Sequence, residues 1–353
     1  MAQEQLSNNA WRVPKGSNGF DALELSRGVP IEKVGDRDCL VKIEAVSLNF
    51  RDLMIAMGVY PFPMKGDVVP GSDGAGTVIA VGKKVTRFQK GDRVCTTVNQ
   101  AHLAGPLTPA ASLTGLGGSL DGVLRSYGVF PESGLVSVPS RLSFREASTL
   151  PCAAVTAWNA FYGLPGRAPK PGDTVLTLGS GGVSLFAIQF AAAAGATVIS
   201  TTSSASKGEK LKALGSSHII DYNKDKSWGQ TARSLSAGGD GVDFIVEVGG
   251  PSTLSQSVSA IKADGIIAVA GSIGSDMSAK SDPGLLSTWT SNCVVRGIAV
   301  GSRALLEDAI RAIEAKGIHP VVDEKPFTLE QLKEAYSYML SQRNFGKVVI
   351  DIQ

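Results

Sequence analysis

Short apolar runs and alternating positions dominate the first 145 residues, and this pattern predicts a mostly-β domain. Residues 40–46 alternate like a half-buried strand, residues 77–81 form a β-branched run between glycines, and residues 93–97 follow a Gly-Asp turn. Residues 100–122 are small, rich in glycine and weakly patterned. We expect them to form a surface loop, of the kind that often covers a binding site.

From about residue 145 the pattern changes to strands that alternate with helices. The predicted strands cover residues 174–178, 197–200, 218–220, 242–248 and 265–270, and the predicted helices cover residues 183–194, 207–214 and 253–262. Such alternation predicts parallel β-α-β units and a doubly wound sheet. After residue 300 the sequence predicts amphipathic helices at 304–316 and 329–340 and a final strand at 346–350.

The composition argues against several classes of protein. The chain of 353 residues has 34 Lys and Arg against 32 Asp and Glu, scattered along its length, which gives no basis for a nucleic-acid or membrane partner. The apolar stretch 183–200 contains Gln189 and Gly195 and breaks into a helix and a strand, so we expect no membrane span. The first ten residues have no apolar run typical of a signal peptide, and the four cysteines lie far apart. A cytoplasmic protein without disulfides is expected.

A glycine turn lies between the predicted strand 174–178 and the predicted helix 183–194. Its residues are Gly179, Ser180, Gly181, Gly182 and Val183, and Ser184 takes the place of the last glycine of the usual G-x-G-x-x-G pattern. Inside a β-α-β unit, such a turn lets backbone N–H groups approach a pyrophosphate at the positive end of the helix. The turn therefore predicts a dinucleotide cofactor.

The end of the second predicted strand indicates which dinucleotide binds. Enzymes that prefer NAD usually carry Asp or Glu there, to hold the 2′-hydroxyl of the ribose. This chain has no acidic residue between Ser200 and Glu209, and it offers the hydroxyl of Ser203 and the ammonium of Lys207 instead. These groups suit a 2′-phosphate, so we predict NADPH. Ser203 or Ser204 would also suit the N-cap of the next helix, and the two roles are compatible.

Six motifs along the chain mark a family resemblance. They are AVSLNFRDL at residues 45–53, GVYP at 58–61, VPGSDGAG at 69–76, LPCAAVTAW at 150–158, IIDY at 219–222 and NFGKVVI at 344–350. From about residue 35 to its end, the chain resembles the medium-chain dehydrogenase/reductase superfamily, in its zinc-free quinone-oxidoreductase-like and alcohol-dehydrogenase-like branch. The resemblance implies an α/β fold with a GroES-like mostly-β catalytic domain, residues 1–145 and 300–353. It also implies a doubly wound Rossmann nucleotide-binding domain, residues 146–299, and a homodimer or homotetramer.

The resemblance also implies that no catalytic zinc binds. Zinc-dependent relatives carry a Cys where this chain has Asn49 and a His-Glu pair where it has Ser72 and Asp73, and only Cys152 matches a ligand. A catalytic zinc needs three protein ligands of the Cys, His or carboxylate type. The three histidines, at 102, 218 and 319, lie outside the motifs, and we interpret them as surface or packing residues.

Candidate cofactor contacts follow from the resemblance. It places Asn49, which is also a candidate catalytic residue, and Thr156 near the nicotinamide ribose or amide. It places Lys207 and Tyr222 around the 2′-phosphate. The nicotinamide channel is expected to be lined by residues at two strand ends: Gly249, Gly250, Ala270, Gly271 and Ser272. Asn344 and Lys347 are expected to close over the cofactor from the C-terminal segment.

The catalytic residues are less determined by the sequence. Tyr60 matches a tyrosine that faces the substrate in some quinone reductases, so it is either an oxyanion donor or gate, or a packing residue beside Pro61. Phe50 stands where many relatives carry Tyr, which removes a second donor. Arg51 and Asp52 form either an active-site pair or a structural pair, and Trp289 belongs either to the pocket or to a dimer contact.

Three functions remain open from the sequence. The leading hypothesis is hydride transfer to a polarised double bond in an enone, enal or quinone, because conjugation supplies an electron sink without zinc. The second is metal-free carbonyl reduction or alcohol oxidation, which needs a strong donor such as Tyr60 at the carbonyl. The third is a non-catalytic, crystallin-like protein that binds NADPH. In each case the partner besides the cofactor is expected to be a small molecule.

Overall fold

The computed structural model describes residues 6–272 and 283–352. The chain divides into two compact units, Met1–Cys152 with Ser302–Gln353, and Ala153–Gly301. Within the described ranges, no helix combines the length and the apolar character that crossing a membrane requires.

The strands in chain order are β1 Ser7–Arg12, β2 Glu24–Pro30, β3 Asp38–Ser47, β4 Asp73–Val81, β5 Arg93–Thr96, β6 Tyr127–Pro131, β7 Leu135–Ser137, β8 Thr174–Leu178, β9 Thr197–Thr202, β10 His218–Asp221, β11 Val242–Glu247, β12 Ile261–Val269, β13 Val294–Gly297, β14 Phe327–Thr328 and β15 Val349–Asp351.

The helices are α1 Phe50–Ala56, α2 Pro109–Ser112, α3 Phe144–Ala147, α4 Val155–Tyr162, α5 Gly182–Ala193, α6 Ala205–Ala213, α7 Trp228–Leu235, α8 Pro251–Ala260, α9 Leu286–Thr290, α10 Arg303–Lys316 and α11 Leu332–Leu340. A π-helical turn at Leu150–Ala154 precedes α4, and a 3-10 turn at Leu329–Gln331 leads into α11.

A mostly antiparallel sheet is the framework of the first unit. Its described strands run in the order β14-β15-β3-β4-β5-β7, and β6 also pairs with β3. Because β3 is antiparallel to both β4 and β15, Ser47 lies opposite Asp73 on one side and opposite Val349 on the other. This register brings the end of β3, the start of β4 and the start of β15 to one edge of the sheet.

The core of the first unit lies between this sheet and two helices. Leu53 and Ile55 of α1 and Leu332 and Tyr336 of α11 are buried together with Phe130 of β6. Burying a large apolar side chain contributes about 1.5–3 kcal/mol each, so this cluster fixes α1 at the sheet edge. The residues that precede α1 are thereby held in place.

A parallel sheet is the framework of the second unit. The described strands have the order β10-β9-β8-β11-β12-β13, which is 3-2-1-4-5-6 when counted from β8. This is the order of a dinucleotide-binding sheet, and it reverses between β8 and β11. Ligands of such sheets bind outside the carboxyl ends of the strands at this reversal. The residues after β8 and β11 are therefore the first candidates for cofactor contacts.

Most of the predicted elements are confirmed, and two differ from the structure. The strands predicted at 40–46, 174–178 and 242–248 correspond to β3, β8 and β11. The surface loop predicted at 100–122 is partly wrong, because this segment contains α2 and buries His102 and Leu116. The helix predicted at 253–262 ends at Ala260, where β12 follows at once. Helix α7 and strand β13 were not predicted.

Candidate functional site

The glycine turn after β8 has an open backbone. Gly179 has φ +73°, a conformation that favours glycine, and its N–H donates to the carbonyl of Thr201 at 3.0 Å. Gly181 is the N-cap of α5. Among residues 6–272 and 283–352, no side chain caps this helix and no atom lies within 4 Å of the positions that β-carbons of Gly179 and Gly181 would take. The Ser184 hydroxyl turns inward and donates to the carbonyl of Leu178 at 2.6 Å. The helix end is therefore accessible to an anion.

Ser180, Gly182 and Val183 complete this turn and begin α5, and all three are half-buried. With Gly179 and Gly181 they form one continuous stretch at the carboxyl end of β8, beside the reversal of strand order. The structure therefore brings together all five residues that the sequence predicted for the pyrophosphate.

The turns after β9 and β10 lie side by side. Thr202 pairs with Asp221 in the parallel ladder, so Ser203 and Tyr222 follow neighbouring strand ends, and both are exposed. The N-cap of α6 is Ser204, whose hydroxyl accepts the N–H of Lys207 at 3.4 Å. Asn223 donates from Nδ2 to the carbonyl of Ser203 at 3.0 Å, which ties the two turns together. The sequence did not single out Asn223, although an asparagine in the turn that follows a strand is a recognisable signal.

A buried carboxylate shapes the turn after β11. Glu247 is fully buried, and its Oε1 accepts the N–H groups of Gly249 at 2.7 Å and Gly250 at 3.1 Å and the Thr253 hydroxyl at 2.6 Å. The Ser257 hydroxyl donates to Oε2. These bonds hold the Gly249–Gly250 turn and the first turns of α8 in one arrangement. The sequence missed Glu247, whose signal is an acid at the end of a strand, two residues before a Gly-Gly pair.

The other predicted nicotinamide contacts in this unit lie on two elements. Ala270 follows β12, and its N–H donates to the carbonyl of Glu247 at 2.8 Å, so Gly271 and Ser272 leave the sheet next to the Glu247 turn. Thr156 is buried in α4.

In the first unit, a directed chain of hydrogen bonds occupies the sheet edge. Lys347 Nζ donates to Asn49 Oδ1 at 2.5 Å and to the carbonyl of Leu48 at 2.6 Å. Asn49 Nδ2 donates to the Ser72 hydroxyl at 3.3 Å, and this hydroxyl donates to Asp73 Oδ1 at 2.6 Å. Because an ammonium group has no acceptor, Lys347 fixes the orientation of the Asn49 amide.

The charges at this edge are buried. Burial raises the pKa of the Asp73 carboxyl, and Lys347 and the Ser72 hydroxyl oppose that rise. Burial also raises the pKa of Asp52 to about 6, against the opposing effects of Arg51 and of the Asn49 N–H. Burial and the nearby Asp73 carboxylate raise the pKa of the Cys152 thiol to about 12, so this group is a neutral thiol at pH 7. The Cys152 N–H donates to Asp73 Oδ2 at 3.1 Å.

Asp52 and Arg51 have different partners. Asp52 Oδ2 accepts the Asn49 N–H at 2.8 Å in a capping box that begins α1, whereas Arg51 Nη1 lies 3.7 Å from Asp52 Oδ1. Arg51 Nε donates to the Tyr60 hydroxyl at 3.4 Å, and the guanidinium lies over the Tyr60 ring at 5.1 Å from its centroid. Tyr60 is half-buried and its ring also contacts Phe62, with 5.3 Å between centroids.

The C-terminal segment reaches the same edge. Asn344 Nδ2 donates to the carbonyl of Gly346 at 2.8 Å, and the Phe345 N–H donates to Asp323 Oδ2 at 2.9 Å. Lys347 is 6% exposed, since its ammonium points to Leu48 and Asn49. The structure thus brings Asn49 and Lys347 together, and it places Asn344 three residues earlier, half-buried.

Comparison with known proteins identifies the family. The profile of the alcohol dehydrogenase GroES-like domain matches residues 35–140, and that of the zinc-binding dehydrogenase domain matches residues 182–315. A zinc-type alcohol dehydrogenase-like protein of Schizosaccharomyces pombe is 45% identical over 336 residues, covering 95% of this chain and 96% of that protein. The chain belongs to the medium-chain dehydrogenase/reductase superfamily. The predicted fold class, a GroES-like domain with a doubly wound Rossmann domain, is confirmed.

Other members of the superfamily are similar over most of the chain. The 2-methylene-furan-3-one reductase of Solanum lycopersicum is 30% identical over 338 residues, covering 94% of this chain and 76% of that protein. A crystal structure from Sinorhizobium meliloti 1021, named as an alcohol dehydrogenase, superimposes with a TM-score of 0.87 at 37% identity, covering 99% of this chain and 100% of that one. The chain is therefore an oxidoreductase of a nicotinamide-dependent, medium-chain dehydrogenase/reductase type.

A metal site was sought because the superfamily includes zinc enzymes. In residues 6–272 and 283–352, no group of three or more His, Cys, Asp or Glu side chains has an arrangement that could hold a metal ion. At the positions where zinc-dependent relatives carry their ligands, this chain has the amide of Asn49, the hydroxyl of Ser72 and the thiol of Cys152.

Trp289 lies in α9, and large apolar side chains in and beside this helix are exposed. It is 79% exposed, and Leu285 and Leu286 beside it are 84% and 76% exposed. The edge strand β13 follows directly after α9. The exposure of Trp289 favours a role in association over a role in the pocket.

Proposed function

We propose that this protein is an NADPH-dependent, zinc-independent reductase that transfers hydride to a polarised double bond in an enone, enal or quinone. The observation that carries the proposal is the buried ammonium of Lys347, 2.5 Å from Asn49 Oδ1, at the position where zinc-dependent relatives carry a ligand.

The side chains at this edge do not fit a catalytic zinc. Zinc is held by thiolates, imidazoles and carboxylates, but Asn49 offers an amide, Ser72 a hydroxyl, and Cys152 a thiol whose pKa is raised to about 12. The ammonium of Lys347 would repel a second cation close to it. Its positive charge already compensates the buried carboxylate of Asp73.

The described residues fit a dinucleotide with a 2′-phosphate. The open turn at Gly179 and Gly181 would hold the pyrophosphate, and Ser203, Lys207 and Tyr222 would hold the 2′-phosphate at the ends of β9 and β10. NADPH, when bound, supplies the hydride. The turns at Gly249–Gly250 and at residues 270–272 would line the nicotinamide, with Thr156, Asn49 and Asn344 contributing from their own elements.

A conjugated substrate explains how reduction proceeds without a metal. When a hydrogen with its electron pair adds to the β-carbon, the electron pair of the carbon–carbon double bond forms a double bond between the α-carbon and the carbonyl carbon. The electron pair of the carbonyl double bond then moves onto the oxygen, which gives an enolate. Tyr60, which is half-buried, would donate a hydrogen bond to that oxygen, and solvent would supply the proton that the α-carbon gains. The tomato relative supports this class, because it is named as a reductase of a methylene group conjugated with a ketone.

A second function is favoured by the names of the other two proteins, since one is named zinc-type alcohol dehydrogenase-like and the other is named as an alcohol dehydrogenase. Metal-free carbonyl reduction would place the same Tyr60 hydroxyl at the carbonyl oxygen, with hydride added to the carbonyl carbon instead of the β-carbon.

We further propose a homo-oligomer, most simply a dimer, in the cytoplasm. The exposed side chains of Leu286 and Trp289 belong to α9, the helix that precedes β13 in the chain. Among the described strands β13 is the last in the order of its sheet, and its Val295 is 42% exposed. Exposed apolar side chains and a terminal strand suit pairing with a second copy. The free cysteines support a reducing compartment.

The proposal is tested by comparing substrates and cofactors in steady-state kinetics. We expect NADPH oxidation with 2-cyclohexenone, an enal or a quinone, a kcat/KM at least tenfold higher with NADPH than with NADH, and no effect of 1,10-phenanthroline. Equal efficiency with both cofactors would defeat the cofactor assignment. One zinc per chain in elemental analysis, lost together with activity on chelation, would defeat zinc independence.

A further inference from the structure

Arg51 is an almost buried cation that contacts the proposed donor. Its side chain is 14% exposed, and Nη1 donates to the carbonyl of Leu116 at 2.9 Å. A β-carbon at Gly118 would lie 3.0 Å from Nη2, so the glycine leaves room for the guanidinium. The glycine-rich segment that precedes β6 thus forms one wall around this group.

The contact with Tyr60 has a defined direction. A guanidinium has five N–H donors and no acceptor, whereas a phenol hydroxyl has one hydrogen and can also accept. Because Arg51 Nε donates to the Tyr60 hydroxyl, the hydroxyl hydrogen must point away from Arg51. In the part of the chain that the structure describes, no hydrogen bond is found in which Tyr60 is the donor.

Two further contacts fix the ring. The guanidinium lies over the face of Tyr60, and Phe62 contacts its ring from another direction. The positive charge of Arg51 would also stabilise negative charge that builds up on the Tyr60 oxygen when its hydrogen is shared with an oxyanion.

We propose that Arg51 is a positioning residue that commits the Tyr60 hydroxyl to donate to the oxygen of a bound carbonyl substrate. This inference rests on the proposed function, in which that oxygen gains charge during reduction. It adds a residue whose effect we expect to pass through Tyr60, because Arg51 Nε donates to the Tyr60 hydroxyl and Nη1 is engaged with the carbonyl of Leu116.

A double-mutant cycle tests this coupling. R51M, Y60F and the double variant are assayed with NADPH and 2-cyclohexenone. We expect each single substitution to lower kcat about 10- to 100-fold, and R51M to change kcat less than about twofold in the Y60F background, because coupled residues are not additive. An equal loss from R51M in both backgrounds would overturn the proposal, and so would a Y60F variant as active as wild type.

The matched control is R87M. The Arg87 guanidinium lies 5.3 Å from the centroid of Phe88 and pairs with Glu307 at 2.8 Å, so it makes the same kinds of contact outside the candidate site. We expect R87M to retain wild-type kcat.

A second variant and a second measurement address the contact without depending on R51M folding. G118A places a methyl group against the Arg51 guanidinium without replacing Arg51 or Tyr60. In protein labelled with 13C at the ζ-carbon of its six tyrosines, Y60F assigns the Tyr60 resonance. We expect R51M or G118A to shift it and R87M to leave it unchanged. An unshifted Tyr60 resonance in both R51M and G118A would overturn the contact.

The activity of the wild-type protein distinguishes a failure of the proposed function from a failure of the Arg51 inference. If the wild-type protein reduces no enone, enal or quinone with NADPH, the reductase assignment fails and the role of Arg51 fails with it. If the wild type is active but the cycle shows no coupling, the Arg51 inference alone is overturned.

Discussion

Replacing Lys347 by methionine is expected to destabilise the protein by roughly 3 kcal/mol. Methionine retains most of the apolar stem, so the change removes mainly the ammonium. The carbonyl of Leu48 and the Oδ1 of Asn49 then lose their donor inside the protein, at about 1–3 kcal/mol for each buried acceptor left unpaired. Removing the buried charge interaction between Lys347 and Asp73 costs a similar amount. Methionine does not incur the cost of desolvating an ammonium, and this offsets part of the total loss.

Thermal and urea unfolding followed by circular dichroism measure this loss. For a unit of about 200 residues, 3 kcal/mol corresponds to a fall in Tm of roughly 6–12 °C. The control is K84M, which breaks an ion pair of 2.9 Å to Asp36 between side chains that are 59% and 46% exposed. Such a pair contributes at most about 1 kcal/mol, so K84M should unfold close to wild type.

The pH dependence of the K347M deficit provides a second check. In K347M, loss of the ammonium raises the pKa of Asp73 further above its usual value. The folded state then favours protonated Asp73, so the free energy of unfolding of K347M falls as pH rises through the folded-state pKa. The deficit should therefore be smaller at pH 5 than at pH 8. Equal effects of K347M and K84M, or a deficit that grows towards low pH, would refute this account of the sheet edge.

Three other substitutions test separate parts of the structure. S203D places a carboxylate where the 2′-phosphate is proposed to bind and should lower the NADPH to NADH ratio of kcat/KM by at least about tenfold; an unchanged ratio would contradict the assignment. Burial raises the pKa of Asp52 to about 6, so the folded state favours the protonated form of this carboxyl. The free energy of unfolding therefore falls as pH rises from about 4 to 6. D52N should therefore gain roughly 1–3 kcal/mol over wild type above pH 6 and little near pH 4 in urea unfolding, and no pH-dependent difference would count against it. W289D should halve the mass measured by light scattering, and an unchanged mass would remove α9 from the interface.

The sequence predicted the second unit better than the first. Strands β8 and β11 are almost entirely buried, so their apolar runs identify them without any tertiary information. Helix α7 was missed although Trp228, Ala232 and Leu235 recur at helical spacing, because the helix has only eight residues and its other positions are glycine or polar. Strand β13 has four residues, a length at which periodicity carries little information.

The candidate site in the first unit depended on contacts that no local pattern can reveal. Lys347 meets Asn49 across 298 positions of the chain, and the sequence alone directed Lys347 towards the cofactor. The capping box of Asn49 and Asp52 was visible as a motif, but it does not indicate burial. The glycines of the 100–122 segment suggested a surface loop. A β-carbon at Gly117 would lie 2.7 Å from the Gly71 backbone, so this glycine is needed for close packing.

The most direct test of hydride transfer to a carbon–carbon double bond uses NADPH deuterated at C4, in each stereochemical form, with a conjugated enal. The deuterium is then located in the product by NMR. The account predicts label at the β-carbon from one of the two forms. Label at the carbonyl carbon would contradict it and would establish metal-free carbonyl reduction instead.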